Sequence, residues 1–343
     1  MTSSTLTAAL RALPKAELHL HIEGTLEPEL IFALAKRNQQ TLPYPDIASL
    51  RAAYSFTNLQ SFLDLYYAGA QVLQTEQDFY DMSMAYLQRV HQDGAVHVEI
   101  MFDPQTHTSR GIDIEVVFAG LARALRQART ELGLSSYLIM SFLRHLSEAD
   151  AFACLESALP LREQYADLWI AIGLDSAELG NPPEKFQRVF ERCKELGFRL
   201  VAHAGEEGPA DYVRDALDLL QVERIDHGIR SEEDPALMMR LRSQATPLTV
   251  CPLSNLRLKV VNDLTQHNLK RLLDQGLCVT INSDDPAYFG GYLLDNYTQT
   301  IDALDLTDVE IRQLAANSIN ASFLPPEQKQ HWLSKISQSP LPA

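Results

Sequence analysis

A chain of 343 residues, 46% of them hydrophobic, can bury a large core, and one α/β barrel of roughly 250 residues or more accounts for most of its length. Its formal net charge of −16 argues against sequence-independent nucleic-acid binding and against anionic membrane surfaces, which both call for clustered Lys and Arg. A small neutral or cationic substrate fits this charge better.

Residues 1–14 lack the apolar core of a signal peptide, and no stretch approaches the roughly 20 apolar residues of a membrane span. The four cysteines, Cys154, Cys193, Cys251 and Cys278, form no C-x-x-C pair. Free buried thiols in a cytoplasmic protein are the expectation.

Along the chain, short apolar, β-branched runs alternate with longer amphipathic stretches. The strand candidates are 17–22, 96–102, 137–142, 169–174, 198–204, 224–226, 247–251 and 277–282. Helical periodicity fills 76–92, 114–131, 148–165, 183–196, 211–219, 235–243 and 264–275. Eight strands separated in this way predict a (β/α)8 barrel. An open doubly wound sheet would favour a G-x-G-x-x-G turn after the first strand; the chain has Glu23-Gly24-Thr25-Leu26 there.

Two segments of this single expected domain, 1–343, break the rhythm. Residues 26–74 form a long apolar and aromatic excursion with Phe56, Leu59, Phe62, Leu63, Leu65, Tyr66 and Tyr67, expected as a helical lid over the C-terminal mouth of the barrel. Residues 304–343 read as one or two helices ending in Pro-rich coil.

Polar residues suited to catalysis gather at strand ends. His19 and His21 end the first, His203 the fifth, His227 the sixth, and Ser283-Asp284-Asp285-Pro286 follows the eighth. In a barrel these ends meet on one face. Side chains at i and i+2 of a strand point the same way, so both rings of His19-Leu20-His21 can share one ion. Adding His203 and Asp284 gives a three-nitrogen, one-oxygen shell suited to a single zinc, with iron and manganese as alternatives. An ion so held can provide hydroxide at neutral pH. Singly, each piece has a plainer reading: H-x-H as packing, Asp-Asp-Pro as a turn, His227-Gly228 as a strand stop, and Glu206 as a helix-start acid. Their conjunction is what points to a metal site. The remaining histidines read as packing or surface residues. The fourth strand has no lysine of the kind that bridges two metals, which favours one ion. An H-x-E motif at His21-Ile22-Glu23 is followed by no P-C-x-x-C, so the other zinc deaminase fold does not apply.

The runs Glu17-Leu18-His19-Leu20-His21-Ile22-Glu23-Gly24, His203-Ala204-Gly205-Glu206, Asp226-His227-Gly228 and Ser283-Asp284-Asp285-Pro286 resemble the adenosine/adenine deaminase family of the amidohydrolase superfamily, in family order across nearly the whole chain. The resemblance implies that His19, His21, His203 and Asp284 bind zinc, that Glu206 delivers a proton to purine N1, that His227 orients or deprotonates the attacking water, and that Asp285 bonds N7. It departs from the nucleoside deaminases at two places: Glu178 replaces a glycine in Asp175-Ser176-Ala177-Glu178, and Glu23 stands where the animal enzymes have a ribose-binding Asp. With 102–107 and 286–292 resembling the adenine deaminase branch, the implied reaction is deamination of adenine to hypoxanthine. Glu178 is expected to select the free base, the alternative being that it points to solvent and Ser176 or the lid loop does so. The alternatives are adenosine as substrate, a different amine or cyclic amide, and a purine-binding protein without catalysis.

Overall fold

Eight parallel strands lie in the sequential order β1 to β8, and each is hydrogen-bonded to the next. They are β1 (Lys15–Glu17), β2 (Ala95–Phe102), β3 (Ser135–Leu143), β4 (Trp169–Asp175), β5 (Arg199–Ala204), β6 (Arg224–His227), β7 (Leu248–Val250) and β8 (Val279–Ile281) in this computed structural model, which describes residues 3–340. Parallel neighbours need a crossover between them, and helices supply most of these. The ring closes past the regular ends of β8 and β1: His21 N donates to Asp284 O at 3.0 Å and Asp284 N to His19 O at 3.1 Å. The fold is the expected (β/α)8 barrel.

The first strand departs from its predicted span of 17–22. Regular pairing stops at Glu17, after a register shift between Lys15 and Ala16. Beyond it, Leu20 and His21 make only isolated bridges to Asp284 and Met101, and Leu18 N bonds the side-chain oxygen of Asn282 at 2.9 Å. The segment serves the closure and the site at once, so its pairing is irregular.

Two predicted helices are also broken. The 148–165 pattern ends as α-helix at Ala158, where Pro160 enters a short 3-10 turn. The 264–275 pattern divides into Leu264–Gln266 and Leu269–Asp274, where the ring of His267 accepts from Leu269 N at Nδ1, 3.0 Å, and donates from Nε2 to Asn255 Oδ1, 3.0 Å.

Alternation along the strands sorts the barrel interior from its jacket. Ile100, Met140, Ile172 and Ala202 join the large core beneath the helices, while Met101, Ile139, Ala171 and Val201 form a separate cluster with Phe323 against it. One layer lower on the inward face, Arg224 Nη1 reaches Glu99 Oε2 at 2.6 Å, both side chains fully buried. Arg224 also bonds Leu18 O at 3.2 Å and Ala321 O at 3.3 Å, and Glu99 accepts from Phe323 N and from His97. This ionic floor ties β1, β2 and β6 to the segment after the helix Asp308–Ala321. One step upward, the same inward parity delivers Asp103, Asp175 and His203 to the C-terminal mouth.

After helix α1 (Ser3–Ala12), three helices lie between β1 and β2 ahead of α5 (Glu76–Gln92): α2 (Pro28–Arg37), α3 (Ile47–Ala52) and α4 (Leu59–Ala70). Pro28 starts α2, and Asp46 with Ser49 and Asn58 with Ser61 form capping boxes for α3 and α4. Phe62, Leu63 and Tyr66 of α4 are buried in a satellite cluster with Phe56, Leu258, Tyr288 and Phe289. The predicted tail contains the helices Asp308–Ala321 and Pro326–Gln338, and its last three residues lie outside the described ones. Among the described residues, no helix is long and apolar enough to cross a membrane.

Candidate active site

Four buried side chains converge where the barrel closes. Ligand-type atoms of His19, His21, His203 and Asp284 all lie within 4.8 Å of one another. His21 Nε2 is 3.2 Å from His203 Nε2 and 3.5 Å from Asp284 Oδ1, and His19 Nε2 is 3.3 Å from the same oxygen. Asp284 and His227 both hold φ at +63°, the left-handed region that side chains seldom adopt. Such backbone persists where the surroundings over-determine it and is common at active sites. Here the closure bonds through Asp284 N and O fix one of the two.

The cluster fits a cation. His19 Nδ1 lies 3.1 Å from both Thr249 O and Thr249 Oγ1, which leaves Nε2 as the free lone pair, and that buried nitrogen has no hydrogen-bond partner. His21 Nδ1 is 3.5 Å from Asp175 Oδ2, and His203 Nδ1 is 3.8 Å from Asp226 Oδ2. Outer carboxylates and carbonyls of this kind orient ring ligands in metal sites. Burial, followed by neighbouring imidazoles, pushes His203 well below the ordinary histidine range; burial brings His21 down to about 4. Both rings are therefore neutral and able to ligate. Burial works against charge on His19 and Asp284 too, but their mutual attraction outweighs it, raising the histidine and lowering the aspartate. The four side chains offer three imidazole nitrogens and one carboxylate oxygen, a donor set that suits zinc.

A cavity of about 30 Å³ opens beside this cluster. Glu206, His227, Asp285, Asp103, Asp175 and Ser176 line it, and Leu59, Phe62, Leu63, Tyr66 and Tyr67 cover it. Glu206 directs a buried, unpartnered Oε1 there, and its Oε2 stands 3.6 Å from His227 Nε2. Burial first, then the charges of Asp284 and Glu178, hold the Glu206 carboxyl well above its usual range. His227 Nε2 is 3.7 Å from Asp284 Oδ2. Asp285 also has an unpartnered oxygen, Oδ1, and a Cβ on Gly24 would lie 1.9 Å from it. Only glycine lets the backbone after His21 pass so close.

Ser176 reaches the cavity wall, with Oγ 2.9 Å from Tyr67 Oη and 2.8 Å from His145 Nδ1. Glu178 departs from its expected place. Its carboxylate turns away from the cavity and takes four backbone N–H groups at residues 205–208, so it presents no free oxygen to a purine edge. Glu23 is engaged as well: Oε1 meets His107 Nε2 at 2.8 Å and Asp103 N at 3.3 Å, and Oε2 accepts from Tyr66 Oη at 3.3 Å. His107, read from sequence as a packing or surface residue, is a buried partner in this network. The sequence reading assigned no role to Asp103 and Asp175, although each stands where β2 or β4 ends, the same signal that singled out His203.

An eight-stranded barrel with buried metal-type ligands from its first, fifth and eighth strand ends, gathered at the C-terminal mouth, defines an amidohydrolase-type protein. The chain belongs to the adenosine deaminase family, whose family model matches residues 14–339. It is 60% identical over 329 residues to an adenine deaminase of Acinetobacter baylyi, covering 96% of this chain and 98% of that protein. It is 63% identical over 327 residues to an adenine deaminase of Trichlorobacter lovleyi, covering 95% and 93%. The crystal structure of an adenine deaminase from Arthrobacter aurescens superposes with a TM-score of 0.92 at 54% identity, covering 95% of this chain and 98% of that one. An amidohydrolase from Burkholderia ambifaria, crystallised with bound Zn, superposes with a TM-score of 0.89 at 25% identity, covering 98% and 93%.

Proposed function

We propose that the chain hydrolyses adenine to hypoxanthine and ammonia, with one zinc ion held by His19, His21, His203 and Asp284. A zinc ion held by these four residues would supply hydroxide near neutral pH. The chain's own residues then divide the remaining work. Glu206 gives a proton to N1 and draws electron density from C6. His227, between Glu206 and Asp284, orients the incoming water and takes its proton. Asp285 meets N7 and sets the in-plane rotation of the ring. A C6–O bond forms; His227 returns the water proton to N6, the C6–N6 bond breaks and N6 departs as ammonia, and the 6-hydroxyl proton passes back to Glu206 as the C6 carbonyl forms.

The observation that carries this reading is the pair of unpartnered oxygens, Glu206 Oε1 and Asp285 Oδ1, on one cavity beside the four ligands. The named adenine deaminases, at 60% and 63% identity, support the free base as substrate. The Zn-containing neighbour supports the choice of metal. Residues 26–74 act as the lid, since α4 brings five side chains to the cavity. A cytoplasmic setting suits four cysteines that are all free thiols. The acidic charge leaves nucleic acid and membrane outside the set of partners. Ammonia release from adenine, adenosine and cytosine, measured on protein of known metal content, tests the reading. Release from adenine with about one zinc per chain supports it; metal-loaded protein inert toward every purine would return the chain to the class of binding proteins.

A further inference from the structure

The turn that carries Glu206 is wrapped around a carboxylate. Glu178 stands three residues past the end of β4 and is 1% exposed. Its Oε1 accepts from Gly205 N at 2.6 Å, and its Oε2 accepts from Glu206 N at 3.0 Å, Glu207 N at 2.9 Å and Gly208 N at 2.8 Å. Successive backbone N–H groups converging in this way form an anion-holding nest. One backbone N–H thus engages Oε1 and three share Oε2, so both oxygens of the carboxylate are held by backbone. The local sequence is shaped to this arrangement. Gly205 has φ +74°, and a Cβ on Gly208 would lie 2.6 Å from Glu178 Oε1.

The Glu206 side chain, by contrast, has no anchor of its own. Its Oε1 is unpartnered and its Oε2 comes no closer than 3.6 Å to His227. Where its carboxyl points is therefore set by the backbone of residues 205–208; Glu178 holds the four N–H groups of that backbone, while Arg230 holds two of its carbonyls, Gly205 O at 3.0 Å and Glu207 O at 3.2 Å. We infer that Glu178 is a positioning residue, which fixes the Glu206 turn through four backbone hydrogen bonds and so places the proton donor against the substrate ring without touching the substrate itself. A glycine at this position leaves the turn to find other partners; the glutamate builds them into the chain. The inference rests on Glu206 being the proton donor.

A double-mutant cycle on the metal-loaded enzyme separates the two claims. Glu178→Gln keeps the size but turns an N–H group toward the donors, which shifts the turn. A small misplacement of a reacting group costs up to about 100-fold in rate, so kcat for adenine should fall by about 10- to 100-fold. Zinc content and KM should stay near the parent values. In the Glu206→Gln background the same change should alter kcat by less than about 2-fold, since coupled groups are not additive. Full additivity, or an unchanged kcat in Glu178→Gln, overturns the inference. So does a raised KM with unchanged kcat, which would make Glu178 a substrate contact. A parent-like kcat in Glu206→Gln alone instead removes the donor assignment. Should Glu178→Gln fail to fold, Glu178→Asp keeps the charge, shortens the reach, and must show the same non-additivity with Glu206→Gln.

Discussion

Glu206 and His227 face each other across 3.6 Å, and neither is placed as a ligand of the proposed ion. Their substitution should therefore leave the metal in place and act on rate. Glu206→Gln retains the shape and removes the titrating proton, so kcat should fall by at least about 100-fold, the lower range for general acid–base catalysis. Adenine binding and zinc content should persist; a parent-like kcat would take Glu206 out of the mechanism. For His227→Ala a loss of similar size is expected, again with zinc near one per chain by elemental analysis. His19→Ala should behave differently. The ring supplies Nε2 to the cluster and is fixed through Nδ1 on Thr249, so its removal takes away a ligand and the nearest of the rings around Asp284. Bound zinc and turnover should then disappear together. A His19→Ala protein with full metal and normal rate would mean that the ion sits elsewhere.

At the scale of elements, the strand-end rule made the site legible and tertiary detail decided the rest. His19, His21, His203 and Asp284 were readable because barrel strands deliver inward-facing residues to one mouth. Glu178 was not, because its orientation depends on a turn 27 to 30 residues later whose N–H groups have no signature in sequence. The ionic floor was equally hidden: Glu99 and Arg224 are separated by 125 residues, and nothing local in either strand pairs them. That pair has a measurable consequence. Burial alone would raise the Glu99 carboxyl, but the Arg224 charge and then the His97 hydrogen bond override it and bring it down to about 2. A folded pKa below the unfolded value adds stability that is present above the unfolded pKa and lost as pH falls toward the folded one. Between pH ~4.5 and ~2 the protein should lose about 3 kcal/mol through this group. Glu99→Gln should remove that share of the acid dependence, while costing up to about 3–5 kcal/mol at pH 7 because buried Arg224 loses its closest carboxylate and keeps only Asp226 at 3.8 Å and two backbone carbonyls. Urea unfolding of both proteins at pH 7 and pH 3 checks this; equal stability at pH 7 would show that the pair contributes nothing net.

In the orientation proposed above, the molecule as a whole would present one end of a purine to fixed barrel residues and the other to α4. With N1 at Glu206 and N7 at Asp285, the edge bearing N3 and N9 points away from the metal-type cluster. Besides the metal-type cluster, Glu206, His227 and Asp285, the cavity is lined by Asp103, Asp175, Ser176 and the α4 residues Leu59, Phe62, Leu63, Tyr66 and Tyr67, and the proposed orientation turns that edge toward them. A ribose on N9 must enter that wall. Glu23, at the place of a ribose-binding acid in the animal enzymes, is held by His107, Asp103 N and Tyr66, so it offers the sugar no free oxygen, and Tyr66 Oη also reaches Asp103 Oδ2 at 3.2 Å. A nucleoside therefore meets a clash without compensating bonds, the combination that gives sharp discrimination. Adenosine should have a kcat/KM at least about 100-fold below that of adenine. The packing of α4 also makes the discrimination adjustable. Phe62→Ala removes a ring that packs on Tyr66, Tyr288 and Phe289, and should loosen the helix where it covers the mouth. The adenosine-to-adenine ratio should rise in that variant, chiefly through a lower KM for adenosine, while zinc content is unchanged. Steady-state kinetics on both substrates decides the matter. Comparable efficiency of the parent protein on the two substrates would mean that the ring lies in another orientation. An unchanged ratio in Phe62→Ala would move the selectivity from α4 to the fixed wall at Asp103 and Ser176.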